Sequence, residues 1–141
     1  MKARDVMTQN PQCVTRDDKL ADAARIMRSA DTGFVPVVDD RNSMRLSGVI
    51  TDRDIAIRHV ADSHPNDCAV GDHMSDSIRT VSPDDDVDNV MKLMQRDQIR
   101  RVPVVENDRL VGVIAQADLA TKRVGDKKVG ETVEKISEPT R

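Results

Sequence analysis

Residues 35–38 read Val-Pro-Val-Val, and the same four residues return at 102–105, 67 positions later. Residues 48–50, Gly-Val-Ile, return at 112–114 with an offset of 64. The first copy therefore carries a three-residue insertion around residues 41–45. Because internal repeats decide architecture before local structure does, the sequence predicts two copies of about 60 residues each.

Each copy is expected to fold as strand, helix, strand, strand, helix. Thr15 and Ser82 are hydroxyl residues followed by acids, and Pro83 suits a first helical position, so the first helix of each copy is predicted to begin there. The acidic run 84–88 is accordingly interpreted as a helix N-terminus rather than a metal site. The predicted helices carry apolar residues with i, i+3, i+4, i+7 spacing, namely Leu20, Ala23, Ala24 and Met27, and Val87, Val90, Met91 and Met94.

Two short apolar runs follow in each copy and are predicted to form hairpins, after which a second helix begins at Thr51 or Gln116. Neither copy alone buries much apolar area, so the two sheets are expected to pack on each other. The predicted fold class is α/β (α+β), with two tandem β-α-β-β-α repeats packed sheet to sheet as one pseudo-twofold module. The predicted boundaries are 3–62 for repeat 1, 63–69 for the linker, 70–123 for repeat 2 and 124–141 for the tail.

Composition argues against several classes of function. The net charge of −3 disfavours a nucleic-acid binder, and aromatic residues are only 1% of the chain, so base stacking has almost no support. No apolar run approaches the length of a membrane span, and the first residues contain no signal-peptide core. Two unequally placed cysteines do not form a disulfide scaffold. We therefore expect a soluble, cytoplasmic protein.

The order of elements, the repeated Val-Pro-Val-Val strand and the Gly-Val-Ile-Thr-Asp-Arg-Asp turn at 48–54 resemble cystathionine-β-synthase (CBS) domains. Two such domains in tandem resemble a Bateman module, and the resemblance covers residues 3–123. It implies a small stand-alone bacterial protein of this family. It also implies a homodimer and a regulatory ligand-binding role.

Thr51 and Asp54 are the central candidates for ligand binding. A helix N-terminus and a hydroxyl donor suit a phosphate, and a carboxylate three residues later can accept from two ribose hydroxyls. The resemblance implies this same division of roles. The alternative is a capping box, in which the two side chains satisfy backbone amides of their own helix.

The predicted nucleotide site contains residues of repeat 1 and an arginine of repeat 2 in a shared cleft: Thr15, Val35, Pro36, Thr51, Arg53 and Asp54, with Arg100 or Arg101. Strand alternation places the two arginines on opposite faces, which leaves open which one takes part. A weaker second site is predicted at Ser82, Val102, Pro103 and Asp118. It departs from the family pattern at Ala115 and Ala117, where small hydroxyl residues are common.

The expected ligand is an adenine ribonucleotide, most simply AMP, ADP or ATP, with other adenosyl ligands as alternatives and no cofactor required. Binding would change packing and signal to an unidentified protein partner. The alternative is a nucleotide-free CBS dimer that acts as a stress-associated interaction scaffold. No catalytic arrangement or P-loop is present, so no enzyme activity is expected.

The cysteines, the histidines and the tail carry no predicted site. His59, His64, Cys68 and His73 could form a zinc site, but their spacing matches no standard finger, and no metal is predicted. A Cys13–Cys68 disulfide is the other alternative, disfavoured by a reducing compartment. In the tail, Val129, Val133 and Ile136 have the spacing of a short amphipathic helix.

Overall fold

The structure is a computed structural model that describes residues 1–65 and 67–121. The chain forms two compact units, each of which contains segments of both sequence repeats. We name the units by their position in the sequence. The central unit comprises Pro11–Ile78 with Asp108–Leu110, and the outer unit comprises the flanking segments Met1–Asn10, Arg79–Asn107 and residues 111–121. The N-terminal segment of the first repeat thus belongs to the unit that holds most of the second repeat.

The central unit contains a three-stranded sheet in the order β2-β3-β4. Strand β2 (Val14–Thr15) runs parallel to β3 (Phe34–Val38), and helix α2 (Leu20–Ala30) connects the two. Strand β4 (Leu46–Thr51) pairs antiparallel with β3. The unit therefore consists of one β-α-β crossover and one hairpin.

The chain leaves β4 directly into a helical turn. Helix α3 (Asp52–Asp54) continues as a π-helical turn (Ile55–Val60), and a 3-10 turn (Val70–Asp72) follows the linker. The predicted start of this helix at Thr51 is confirmed, because Thr51 is its N-cap.

The outer unit contains a three-stranded sheet in the order β1-β6-β5. Its elements are α1 (Ala3–Val6), β1 (Thr8–Gln9), α4 (Val87–Asp97), β5 (Arg101–Glu106), β6 (Arg109–Ala115) and α5 (Gln116–Thr121). Asn107 and Asp108 join β5 to β6, and both have positive φ angles, of 53° and 65°. Such angles at both central residues are typical of the type I′ turns that close two-residue hairpins.

Each sheet receives an edge segment from the other sequence repeat. In the outer unit, Thr8 of β1 lies opposite Val113 of β6, and in the central unit Ser75 lies opposite Val49 of β4. Both crossings occur at a glycine. A Cβ on Gly112 would lie 2.6 Å from the Met7 sulfur, and one on Gly48 would lie 2.5 Å from the Ser75 carbonyl oxygen.

Each unit has its own apolar core, built almost entirely from aliphatic residues. The central core comprises Val14, Leu20, Ala23, Val35, Val37, Ile50 and Val70. The outer core comprises Ala3, Val6, Val81, Val87, Val90, Met91, Met94, Val102, Val104, Ile114 and Leu119. The helix spacing predicted for α4 is confirmed by the burial of all four of its marked residues, whereas in α2 the marked residue Ala24 is exposed. The mixed α+β class is confirmed.

The predicted starts of the first helices at Thr15 and Ser82 are wrong. Helix α2 begins at Leu20 and α4 at Val87, and a turn precedes each of them. The Thr15 amide donates to the Asp18 carboxylate at 2.9 Å, and the Ser82 amide donates to Asp85 at 2.8 Å. These bonds have the spacing of a capping box, but the backbone does not become helical until several residues later.

The acidic run 84–88 has structural partners, although only part of it caps a helix. Asp86 is the N-cap of α4 and accepts the Asp88 amide at 2.8 Å, while Asp84 pairs with Arg4. Val129, Val133 and Ile136, the predicted tail helix, lie outside the described residues. Within the described ranges, the helices are too short or too polar to cross a bilayer.

Replacing Gly48 with alanine is expected to lower the free energy of unfolding by about 1–3 kcal/mol, because the new Cβ would overlap a backbone atom that cannot rotate away. Gly33→Ala is the matched control. Its Cβ would meet the Asp52 carboxyl group at 2.6 Å, and that side chain can turn aside. Urea unfolding of both variants measures the difference, and equal losses would contradict the assigned role of Gly48.

Candidate functional site

The candidate site of the central unit lies where β4 ends and α3 begins. Thr51 is the last residue of β4 and is paired with Phe34 at the start of β3. The Asp52 amide donates to the Gly33 carbonyl oxygen at 2.9 Å, which holds the first turn of α3 against the strand entrance. Strand β4 ends here because Thr51 pairs with Phe34, the first residue of β3, so β3 offers no further partner residue.

Thr51 and Asp54 form the capping box that the sequence allowed as an alternative. The Thr51 amide donates to Oδ2 of Asp54 at 3.0 Å, and the Asp54 amide donates to the Thr51 hydroxyl oxygen at 3.1 Å. Each side chain uses only part of its hydrogen-bonding capacity in this arrangement. The hydroxyl of Thr51 accepts and still has a proton to donate, and Oδ1 of Asp54 is not part of the box.

Two arginines flank this box. Arg58 lies one helical turn beyond Asp54, with its Nε 3.8 Å from Oδ1, and the Asp54 side chain is only 12% exposed. Arg53 is exposed, and its guanidinium forms no ion pair with any residue that the structure describes. The junction therefore combines a free hydroxyl proton, a carboxylate oxygen and a solvent-facing positive charge.

The remaining predicted residues of this site lie in β2 and β3. Val35 is fully buried in the central core, so its side chain is not available to a ligand. Pro36 lies on the opposite face of the strand and is also buried. Thr15 is half-buried at the end of β2, and its amide is held by Asp18.

Asp18 is held as an anion by its neighbours. Burial would raise the pKa of its carboxyl group, but hydrogen bonds from Thr15 and Arg41 outweigh burial and keep this pKa below its usual value. Arg41 Nη2 lies 2.8 Å from Asp18 Oδ2, and Arg41 belongs to the three-residue insertion of the first repeat. The insertion therefore supplies the cation that stabilises the Thr15 turn.

The outer unit repeats half of the capping box. The Ala115 amide donates to Oδ2 of Asp118 at 2.7 Å, but Ala115 has no hydroxyl group to accept in return. The Gln116 amide donates to the Arg100 carbonyl oxygen at 2.9 Å, just as Asp52 does to Gly33. The acid thus keeps its structural role in both copies, whereas the hydroxyl donor exists only at Thr51.

The other predicted residues of the second repeat divide between the two faces of β5. Val102 is buried in the outer core, and Arg101 and Pro103 alternate with it on the opposite face, where Pro103 is also buried. Arg100 precedes the strand and is exposed, while Arg101 is half-buried. Ser82 is half-buried at the turn before α4, and its hydroxyl oxygen accepts the Asp84 amide at 3.3 Å.

The central unit contains a cluster of metal-ligating side chains that the sequence offered as a possible zinc site but did not favour. One ligand atom from each of His59, Cys68 and His73 lies within 4.8 Å of the others. No metal was predicted because their spacing matches no standard finger, and only the π-helical turn and the 3-10 turn bring them together. Cys13 and Cys68 are both free thiols, so the disulfide alternative is not the one that the structure contains.

The environments of Cys13 and His73 shift their proton affinities. Burial raises the pKa of the Cys13 thiol, which lies 4.0 Å from the Met44 sulfur. Burial also lowers the pKa of His73, and the neighbouring His64 and His59 act in the same direction.

A sequence model of the CBS domain matches residues 3–59 and 70–125, and the chain belongs to this family as a tandem CBS-domain protein. It is 36% identical over 137 residues to YlbB of Bacillus subtilis, covering 97% of this chain and 92% of that one. It is also 36% identical over 138 residues to hypoxic response protein 1 of Mycobacterium tuberculosis, covering 97% and 94%.

Two solved structures show the same architecture. Hypoxic Response Protein I, solved with two coordinated zinc ions, matches with a TM-score of 0.78 and 34% identity over 86% of this chain and 98% of that one. The CBS domain pair of MJ0100, solved with 5′-methylthioadenosine and S-adenosyl-L-methionine, matches with a TM-score of 0.74 and 27% identity over 89% and 98%.

Replacing Asp18 with asparagine is expected to destabilise the protein most at neutral pH. A carboxyl group with a lowered folded-state pKa contributes stability above its unfolded-state value of 3.8 and loses it as the pH falls through the folded-state pKa. The difference in unfolding free energy between wild type and variant should therefore shrink from pH 7 towards pH 3, as measured by urea titrations. Asp17→Asn, the same charge change on an exposed neighbour, is the control for the loss of one negative charge. A deficit of Asp18→Asn that is constant with pH would refute the assignment.

Proposed function

We propose that the protein is a regulatory module that binds an adenine ribonucleotide of the AMP, ADP or ATP type through Thr51, Arg53 and Asp54. The observation that carries this proposal is the hydrogen-bonding capacity that Thr51 and Asp54 retain after they have formed the capping box. After both side chains have capped the helix, the hydroxyl proton of Thr51 is still available as a donor. Oδ1 of Asp54 is still able to accept, and its contact with Arg58 at 3.8 Å is one that a ligand would have to share or replace.

The chemistry of the junction matches the two polar parts of a nucleotide. The free proton of Thr51 suits a phosphate oxygen, and the exposed guanidinium of Arg53 adds positive charge and a planar pair of donors. Oδ1 of Asp54 suits ribose hydroxyls, since a carboxylate only accepts. The adenosyl ligands of MJ0100 support the same class of ligand, because that chain is a structural relative with 27% identity.

The second repeat is proposed as the weaker site. Asp118 retains the acceptor, but Ala115 supplies no hydroxyl donor, so the phosphate contact would depend on an arginine. Arg101 is our candidate, because it shares a face of β5 with Pro103 and forms no ion pair within the described part of the chain.

Regulation requires that the nucleotide bind two states of the protein with different affinities. We propose that binding changes the packing of the module and thereby the surface offered to a protein partner, with no catalysis by the chain itself. The free thiols of Cys13 and Cys68 agree with a reducing compartment such as the cytoplasm.

Thermal unfolding with AMP, ADP, ATP, S-adenosylmethionine, NADH and cyclic di-AMP tests the proposal. A ligand at about 100 times its dissociation constant stabilises the fold by roughly 2.7 kcal/mol, a midpoint shift of several degrees at this chain length. The shift should disappear in Asp54→Asn, in which the amide oxygen can still accept the Thr51 amide while the negative charge is lost.

Asp118→Asn is the matched control, because Asp118 makes the same backbone bond in the second repeat and should leave the main shift intact. Equal effects of the two substitutions would refute the assignment of Asp54. Flat curves for the wild type at millimolar ligand would favour the nucleotide-free scaffold instead.

We also propose that the protein is a homodimer, as the family resemblance implies. Ile57 and Val60 on the π-helical turn are 48% and 65% exposed, which gives this turn an apolar surface. Val60→Asp is expected to convert dimers to monomers in light scattering, because a charge would be buried in the contact. Ala24→Asp, on an exposed position of α2, is the control and should leave the mass unchanged. A wild-type monomer would refute the proposal.

A further inference from the structure

His59, Cys68 and His73 converge in the central unit from three different backbone segments. His59 lies in the π-helical turn, Cys68 lies in the linker, and His73 directly follows the 3-10 turn. One ligand atom from each lies within 4.8 Å of the other two. A fourth side chain is close by, since the exposed ring of His64 lies with its centroid 4.9 Å from that of His73.

The two histidines at the centre of this cluster are buried and incompletely partnered. His59 is 7% exposed and His73 is 5% exposed. Nδ1 of His59 and Nε2 of His73 are buried and form no hydrogen bond to any part of the chain that the structure describes. Buried polar atoms are nearly always satisfied in folded proteins, so two unsatisfied imidazole nitrogens beside one thiol point to a shared ligand.

We propose that His59, Cys68 and His73 bind a Zn²⁺ ion. One thiolate and two neutral imidazoles are a typical zinc donor set, whereas calcium and magnesium prefer oxygen ligands. Zinc bond lengths of 2.0–2.3 Å imply ligand-to-ligand distances of about 3.3–3.6 Å in a tetrahedral site, so atoms that are 4.8 Å apart would need to close by about 1.2–1.5 Å. His64, whose ring centroid lies 4.9 Å from that of His73, is the candidate for the fourth ligand.

Backbone hydrogen bonds already hold the three segments in place. The Cys68 carbonyl oxygen accepts the Leu20 amide at 3.0 Å, and the His59 carbonyl oxygen accepts the His64 amide at 3.1 Å. Arg58 donates to the His73 carbonyl oxygen at 3.4 Å. Its positive charge lies on the backbone side of His73, and the Cys68 thiolate supplies the negative charge that the ion requires.

Zinc in this position would fasten the linker between the two repeats. It would tie the end of the π-helical turn to the 3-10 turn, directly before the segment that pairs Ser75 with Val49. The ion would therefore stabilise the edge segment that the second repeat contributes to the central sheet, and it needs no nucleotide to do so.

Titration of the metal-free, reduced full-length chain with Co²⁺ tests this site. We expect one Co²⁺ per chain, with the visible bands of tetrahedral cobalt and a near-ultraviolet thiolate charge-transfer band, both removed when Zn²⁺ displaces the cobalt. Cys68→Ser should abolish the charge-transfer band and weaken zinc binding by at least about 10–100-fold, the loss typical of even outer-shell substitutions.

Cys13→Ser is the matched control, because Cys13 is the other half-buried free thiol and lies outside the cluster. It should keep both the band and the zinc affinity. Equal midpoints of metal-free wild type and metal-free Cys68→Ser would show that the variant folds, and His59→Gln provides a second test that leaves the thiol in place. An octahedral cobalt spectrum in the wild type, loss of the band in both cysteine variants, or unchanged zinc affinity in Cys68→Ser or His59→Gln would overturn the proposal.

Discussion

The carbonyl oxygen of Ser75 lies 2.5 Å from the position that a Cβ on Gly48 would take, and the Met7 sulfur lies 2.6 Å from the corresponding position on Gly112. The edge pairing of both sheets depends on these approaches, because each edge segment meets the neighbouring strand at a residue that has no Cβ. The glycines thus permit the exchange of segments between the repeats. The aliphatic cores then hold the exchanged segments in place through residues such as Val6 and Val70.

A second recurring feature is a hydrogen bond from a backbone amide to a nearby aspartate side chain. At the starts of α1 and α2 an aspartate accepts the backbone amide three residues before it, in the pairs Lys2–Asp5 and Lys19–Asp22. The same bond occurs where the chain leaves a strand or bridge, in the four pairs Thr15–Asp18, Thr51–Asp54, Ser82–Asp85 and Ala115–Asp118. These four bonds measure between 2.7 and 3.0 Å and fix the chain at each exit. A structural demand therefore explains all four acids, and the ligand role proposed for Asp54 is an addition to its role in the turn.

Much of the fold follows from local patterns in the sequence. The helix α4 and both hairpins were predictable because apolar periodicity and turn residues report directly on burial and backbone angle. The starts of the first helices were not predictable. A hydroxyl residue followed three positions later by an aspartate is the same sequence pattern at a helix start and within a turn. The two-residue strand β1 is too short to carry a pattern, so the sequence could not show that Thr8 pairs with Val113.

The candidate site was predictable to a similar extent. Thr51 and Asp54 were identified because a strand that runs straight into a helix exposes a known set of backbone donors. The inward orientation of Val35 depends on which face of β3 meets α2, and the cluster around His59 and His73 depends on a π-helical turn. Neither of these arrangements has a spacing that can be recognised in the sequence alone.

The exchange of segments also sets an order of assembly. The central unit is nearly continuous in sequence and is largely complete once Ile78 has been synthesised, whereas the outer unit joins the first ten residues to strands near the opposite end of the described chain. Contacts between such distant residues form late, because a long loop must close first. During synthesis, β1 therefore has no partner strand while the central unit folds. It can pair with β6 only after β6 has been synthesised.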